Sequence, residues 1–110
     1  EFLRYRMLLG LSVLAVHAKL MAAAQFQSAD MEKFDHLEHE RPGGKTMKQR
    51  LNPENRFFLV GENVAEWNKK FTALRSWQIS ADHHRNMTSA TWKHFGLARS
   101  GVKWTLTLGG

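Results

Sequence analysis

Cysteine is absent from the 110 residues, and its absence excludes disulfide bonds and metal sites built on thiolates. The sequence also lacks the dinucleotide-binding glycine pattern, the phosphate loop and the nucleophile elbow that mark common classes of enzyme. The length allows one domain at most. We therefore predict that the chain is not an enzyme and has no cofactor, no small-molecule substrate and no catalytic residues.

Acidic side chains are scarce in the last third of the chain. Residues 67–110 hold seven basic side chains and a single acid, Asp82, whereas residues 1–66 hold nine of each sign. The whole net charge of +6 therefore lies in the C-terminal part. Such blocks of one sign are solvated or paired with charges on a partner.

The longest apolar run is Met7–Phe26, in which fifteen of the side chains are alanine, valine, leucine, methionine or phenylalanine. A helix of this length spans roughly 30 Å, which is the thickness of a hydrocarbon core. The residues before it, 1–6, form a basic flank that contains Arg4 and Arg6 and suits a headgroup region. We therefore predict a single transmembrane helix, with the N-terminus on the matrix side by the positive-inside tendency.

Lys19 is the costly residue in this span, because a lysine at mid-membrane costs about 2.5–3.5 kcal/mol. A face of small residues would let a neighbouring helix approach closely and offer Lys19 a partner. His17 is predicted to make a polar contact in such a bundle rather than to bind a haem or chlorophyll. The predicted helix-packing face is formed by Ser12, Ala15, Lys19, Ala22 and Ala23. Two alternatives remain open, namely a soluble helix docked on another protein and an uncleaved signal peptide.

The rest of the chain divides into three predicted segments. Residues 27–41 continue as an acidic amphipathic helix, which Pro42 and the two glycines after it end. Residues 42–61 form a basic connector, and residues 62–110 form a partner-binding region.

The partner-binding region contains short helices and an extended tail. The spacing of its apolar residues predicts one helix over 64–74 and another over Thr88–Phe95. Alternation between Val102 and Leu108 predicts a strand, paired either with the cluster at 57–60 or with a sheet on another protein. The predicted fold class is therefore mainly α, with one transmembrane helix and a C-terminal β-like tail.

Histidine pairs offer a possible metal site. His36 and His39 are three residues apart on the predicted acidic helix, close to several carboxylates. His83 and His84 are adjacent, so their side chains point in different directions, and together with His94 they would form a site only by the accident of folding. Solvated or interface-paired side chains are the commoner outcome for both pairs. The sequence therefore predicts no metal site, with His36 and His39 as the candidates if one exists.

Basic residues and tryptophans alternate in the last third, which suits contact with a protein, with anionic lipid such as cardiolipin, or with RNA, ranked in that order. The residues predicted to bind lipid headgroups or a partner are Arg4, Arg6, Lys69, Lys70 and Arg75. The residues predicted to pack against a partner are Trp67, Phe71, Leu74, Trp92 and Trp104.

A short chain with one imperfect span, helix pieces and no active site resembles the accessory, or supernumerary, single-span subunits of mitochondrial inner-membrane complexes. The resemblance covers the layout alone. It implies a non-catalytic accessory subunit that stabilises a complex of the respiratory chain, with other subunits of that complex as partners. Two alternative functions stay open, an accessory subunit of ATP synthase and an organellar ribosomal or RNA-associated protein.

Overall fold

A computed structural model describes residues 1–68 and 70–110, and within them the chain forms a four-stranded sheet covered by helices on both faces. The elements in chain order are α1 (Phe2–Leu8), β1 (Ala15–Val16), α2 (Ala18–Phe34), α3 (Met47–Leu51), β2 (Val60–Glu66), α4 (Ala73–Ile79), α5 (Ala81–Thr88), β3 (His94–Ser100) and β4 (Lys103–Gly109).

The strands lie in the order β1-β3-β4-β2. β4 pairs antiparallel with both neighbours, from Val60 opposite Gly109 in β2 and from His94 opposite Gly109 in β3. β1 adds a short parallel pair beside β3. The last strand in the sequence is thus one of the two central strands of the sheet.

Alternation along β4 directs its side chains to two different layers. Leu106 and Leu108 are fully buried in the larger hydrophobic core, with residues of α1, α4 and α5. Thr105 and Thr107 face α2 instead, where they hydrogen-bond to the hydroxyl of Ser28 and to the carbonyl of Leu20. The helices therefore cover opposite faces of one sheet.

Gly96 allows α2 to approach the sheet closely. A Cβ at this position would lie 2.4 Å from the backbone of Leu20. Any other residue would push the helix away, so this glycine sets the spacing between the two layers.

The prediction of a transmembrane helix over Met7–Phe26 is wrong. In the part of the chain that the structure describes, none of the helices combines the length and the apolar character needed to cross a membrane. Gly10, with a φ of 75°, turns the backbone after α1, and His17 caps a separate helix, α2. The apolar residues of the run serve a core instead, since Leu14, Leu20 and Ala24 are buried.

Other boundaries also differ from the prediction, so the fold is mixed α/β rather than mainly α. The acidic helix over 27–41 stops at Phe34, because Asp35 adopts the left-handed conformation that ends helices. The helix predicted over 64–74 is wrong at its start, where pairing with β4 makes 60–66 a strand. The helix predicted over Thr88–Phe95 is also wrong, since α5 ends at Thr88 and β3 begins at His94. The C-terminal strand is present as β4 and pairs within the chain.

Candidate functional site

The most unusual polar cluster lies at β2, which is one of the two edge strands of the described sheet. The carboxylate of Glu62 is completely buried there. The guanidinium of Arg50 donates to both of its oxygens, at 2.9 and 3.0 Å, and the Nδ1 of His39 lies 2.8 Å from Oε1. A buried carboxylate is stable only with such partners, so these three residues form one unit.

Local structure brings each member to this place. His39 follows the end of α2, and its carbonyl accepts hydrogen bonds from Gln27 and Arg50. Arg50 lies on α3, which begins with a capping box between Thr46 and Gln49. The loop, the short helix and the strand are thus held together through a few side chains.

His83 reaches the same strand from α5, on the other face of the sheet. Its Nδ1 lies 2.9 Å from the hydroxyl of Ser80, and its carbonyl accepts from Asn63, the neighbour of Glu62. Burial lowers the pKa of His83, and the nearby imidazole of His39 lowers it further. We call His39, Arg50, Glu62 and His83 the β2 site.

The chemistry open to the β2 site follows from which atoms are already bonded. Both lone-pair sides of Glu62 are taken by Arg50 and His39, so this carboxylate is not a free metal ligand. Because the Nδ1 atom of each histidine is bonded, the Nε2 atom is the one left for a ligand or a proton. Within residues 1–68 and 70–110, no three His, Cys, Asp or Glu side chains are grouped to hold a metal ion.

A groove of about 590 Å³ opens beside this site, between α2 and the segment 39–53. Its apolar lining comes from α2 and from the end of α3, and four of its lining side chains are basic. We call it the α2 groove; its apolar lining is formed by Ala22, Ala23, Phe26, Leu51 and Pro53, and its charged or imidazole-bearing lining by Lys19, Asp30, His39, Arg41, Lys45 and Arg50.

The residues predicted as a helix-packing face do not form one. Ser12 lies outside any helix, and Ala15 lies in β1. Lys19, Ala22 and Ala23 do lie on α2, where they line the groove. The sequence predicts that Lys19 pairs with a group on another chain, but in the structure Lys19 pairs with Glu54 of its own chain.

The two predicted metal candidates bind different carboxylates. His36 contacts Asp30 at 2.8 Å, while His39 contacts Glu62. Both lie beyond the end of α2, so the helical spacing that would have placed them on one face does not exist. His84 is bonded to the hydroxyl of Tyr5, which separates it from His83.

The predicted headgroup-binding residues have different environments. Arg4, Lys70 and Arg75 are exposed, and Lys69 lies outside the described residues. Arg6 is completely buried, and it donates to the carbonyls of Ser12, Met87 and Ser89. Arg6 therefore contributes to the fold and is not available to a headgroup.

The residues predicted to pack against a partner lie mostly against their own chain. Trp92 is buried in the larger core and donates to the carbonyl of Asn86. Leu74 and Trp104 pack against that core and, with the exposed Trp67, line a second groove of about 450 Å³. Phe71 is partly buried.

Glu62 and Arg50 were missed by reading the sequence. One signal was present, because Glu62 is the only charged residue in the run from Phe57 to Ala65. A carboxylate in the middle of a buried strand requires a cationic partner. Nothing in the spacing identifies Arg50 as that partner, since eleven residues and a helix end separate the two.

Three solved structures with the same fold are bacterial proteins. An extracellular protein with an SCP domain from Bacillus anthracis has a TM-score of 0.88 and 24% identity, over 98% of this chain and 37% of its own. An outer surface protein of Borrelia burgdorferi has a TM-score of 0.88 and 18% identity, over 98% and 85%. A cysteine-rich secretory protein from Staphylococcus aureus has a TM-score of 0.77 and 17% identity, over 98% and 35%. This chain thus spans about a third of two of these proteins. None of the curated proteins gives a significant match.

These findings correct the functional expectations from the sequence. The resemblance to single-span mitochondrial subunits is wrong, as are the inner-membrane location and the roles in the respiratory chain, ATP synthase or a ribosome. The similar structures are surface or extracellular proteins, and no helix within the described residues of this chain could cross a membrane. Residues 3–105 match the family model described as CAP, the cysteine-rich secretory protein family. Since this match covers nearly the whole sequence, the chain belongs to the CAP family.

Proposed function

We propose that this CAP domain is a non-catalytic binding module, and that its ligand is an anionic amphiphile held in the α2 groove. The observation that carries the proposal is the combination of apolar and basic lining residues in one groove of about 590 Å³. Small-molecule sites have volumes in this range and are mostly apolar with a few polar groups. An apolar body with a carboxylate or phosphate head matches both parts.

Phe26 marks the apolar part of the site. Its side chain is 61% exposed although it lies in the middle of α2, beside the buried Ala23 and Gln27. A phenylalanine that faces a groove loses this exposure when an apolar ligand binds, which stabilises the complex by the hydrophobic effect.

The charges of the lining favour an anion. Four lysine or arginine side chains line the groove against one acid, Asp30. Arg41 is paired with Asp30, Arg50 with Glu62 and Lys19 with Glu54. Lys45 is exposed and makes no ion pair within residues 1–68 and 70–110, so it is the cation left to meet a ligand head. His39, oriented by Glu62, offers its Nε2 at the same groove.

The bonding of the β2 site supports binding without catalysis. An imidazole oriented by a carboxylate supplies two of the three members of a hydrolytic triad, but the third, a nucleophile, must lie within hydrogen-bond reach of the imidazole. His39 has no serine or threonine hydroxyl as a partner in the described part of the chain. The Ser80–His83 contact is local, between the cap residue and the first turn of α5, and no carboxylate within residues 1–68 and 70–110 is hydrogen-bonded to this imidazole. The surface and extracellular relatives support a location outside the cytoplasm.

Binding is tested with 1-anilinonaphthalene-8-sulfonate as the fluorescent probe and dodecanoate as the competitor. We expect Phe26→Ser and Lys45→Glu each to weaken probe binding by about tenfold, since a loss of this size corresponds to one apolar or charged contact. The matched controls are Phe58→Ser, at a side chain that is 93% exposed outside the groove, and Lys48→Glu, which does not line it. The proposal is contradicted if the control variants lose as much affinity for the probe as the groove variants, or if the groove variants lose none. Ester hydrolysis that disappears in His39→Ala would contradict its non-catalytic part.

A further inference from the structure

The turn that follows α1 exposes several large apolar side chains next to one another. Met7, Leu8 and Leu9 are consecutive and all exposed, with 77% of Leu8 open to solvent, and Val13 is exposed three residues after the turn at Gly10. We call residues 7–13 the apolar turn. Single exposed leucines are common on protein surfaces, but a patch of adjacent exposed apolar side chains marks a contact surface.

The apolar turn is fixed in place by the residue before it. The buried guanidinium of Arg6 donates to the carbonyl of Ser12 at 3.1 Å, within the turn, and to those of Met87 and Ser89 at 2.8 and 3.0 Å. The backbone N–H groups of Gly10 and Leu11 bond back to Met7 and Arg6. The chain therefore holds these apolar groups outward and does not let them fold back into the core.

The geometry favours a fluid apolar phase over a flat protein surface. Consecutive residues at a helix end point about 100° apart around the axis, because the helix has about 3.6 residues per turn. A single flat interface would cover one or two of Met7, Leu8 and Leu9, but not all three. Acyl chains at the headgroup boundary can surround all of them.

The charges around the apolar turn are those that suit an anionic membrane. No acidic residue occurs between Glu1 and Asp30, a stretch that includes Arg4. Arg4 is exposed, as is Lys93, whose carbonyl accepts from Ala15 just beyond the turn. Asp82 is the only acid of α5, which packs against α1, and it is paired with Arg85. Each such cation near an anionic surface adds electrostatic attraction, which added salt weakens.

We propose that the apolar turn inserts into the interface of anionic bilayers, with Arg4 and Lys93 facing the headgroups. This docking is separate from ligand binding in the α2 groove. The chain would lie on the membrane through this one surface and leave the groove free.

The absence of cysteine makes the test direct, because one introduced thiol carries the only label. The full chain with Leu8→Cys, labelled with a polarity-sensitive nitrobenzoxadiazole, is mixed with phosphatidylcholine vesicles with or without phosphatidylglycerol. The matched control is Leu37→Cys, an exposed leucine beyond the far end of α2 that is 45% open to solvent. We expect the fluorescence of the label at position 8 to shift to the blue and gain intensity with anionic vesicles, and added salt should reduce both changes. We expect no change for the label at position 37, or with vesicles that lack phosphatidylglycerol.

Co-sedimentation with the same vesicles gives a second measurement. The bound fraction gives the partition constant of the chain between water and vesicles. Leu8→Ser should lower this constant by about tenfold, and Leu37→Ser should leave it unchanged. No shift at Leu8, an equal shift at Leu37, or binding that needs no anionic lipid would overturn the proposal. A dimer in gel filtration that Leu8→Ser returns to monomer would overturn it too, in favour of a second copy as partner.

The two proposals can fail independently. Phe26→Ser should still bind vesicles and Leu8→Ser should still bind the soluble probe, so failure of the groove and failure of the turn are distinguishable.

Discussion

Arg50 and Glu62 form a two-point ion pair in which both guanidinium–carboxylate contacts are hydrogen bonds of 2.9 and 3.0 Å and both side chains are almost fully buried. Arginine suits this role because its planar fork matches the two carboxylate oxygens. The pair joins α3 to the edge strand and orients His39 through the same carboxylate. Stability and the shape of the α2 groove therefore depend on one contact.

Removal of one partner of this pair should be strongly destabilising. Arg50→Ala leaves the Glu62 carboxylate buried without its cation, and we expect the free energy of unfolding in urea to fall by about 3–5 kcal/mol. Arg85→Ala, at an exposed pair with Asp82, should have no measurable effect. The double change of Arg50→Met with Glu62→Leu should recover most of the loss, because apolar replacements of both partners are often tolerated. A double variant as unstable as Arg50→Ala would contradict this account.

Gly96 should be intolerant of a side chain. Gly96→Ala would place a methyl group 2.4 Å from the backbone of Leu20, and since helix backbone cannot rotate away, we expect a loss of about 1–3 kcal/mol or more from overpacking. Gly61→Ala is the comparison, because its Cβ would meet the side-chain ring of Trp92 at 2.9 Å and not the backbone of a helix. Urea unfolding of the two variants checks the order, and a larger loss at Gly61 would show that α2 is not held as closely as described.

Stability should fall as the solution is acidified through the titration range of histidine. His17 caps α2 by accepting the backbone N–H of Lys19 on its Nδ1. Its burial lowers its pKa, and the imidazole of His94 and the cations Arg56 and Lys19 lower it further. Between this lowered pKa and the ordinary value of about 6.5, the unfolded chain binds a proton that the folded chain does not. The free energy of unfolding should therefore have its highest value above about pH 6.5 and decline below that pH.

His17→Asn separates this effect from general acid sensitivity. Asparagine is a good helix cap that does not titrate, so the variant should keep its stability at neutral pH and lose part of the decline on acidification. A residual decline is expected from His83, whose pKa burial also lowers. Urea unfolding at about pH 8 and about pH 5 measures both slopes. Identical slopes for the variant and the natural sequence would exclude His17 as a source.

Arg6 should not be replaceable by lysine. Three carbonyl groups, those of Ser12, Met87 and Ser89, accept from its guanidinium, and an ammonium group on a shorter stem cannot reach all three. Each buried carbonyl left without a donor costs about 1–3 kcal/mol. Arg6→Lys should therefore lower the free energy of unfolding by more than the cost of one such carbonyl. Arg4→Lys, at the exposed neighbour on α1, is the control and should be neutral.

The sequence allowed some elements to be predicted because their signals are local. Alternation over Val102–Leu108 identified β4, and Pro42 with its glycines identified a break. The helix predicted over 64–74 failed because pairing with β4, some forty residues later in the chain, overrides the helical spacing of Val64 and Trp67.

The opening run failed for a different reason. Length and hydropathy cannot distinguish twenty apolar residues that span lipid from an apolar turn followed by a helix packed on a sheet. The polar interruptions Ser12, His17 and Lys19 were the available clue, and the structure places two of them at the break and one in the first turn of α2. The β2 site could not be predicted because its four residues come from a loop, two helices and a strand.

The position of β4 determines when this domain can fold. In the part of the chain that the structure describes, the sheet order β1-β3-β4-β2 makes β4 the bridge between β2 and β3. Without residues 103–109, β2 and β3 lack the strand that they share, and the larger hydrophobic core lacks Leu106 and Leu108. We therefore expect completion of the sheet to depend on contacts between residues that are distant in the sequence, which slow folding.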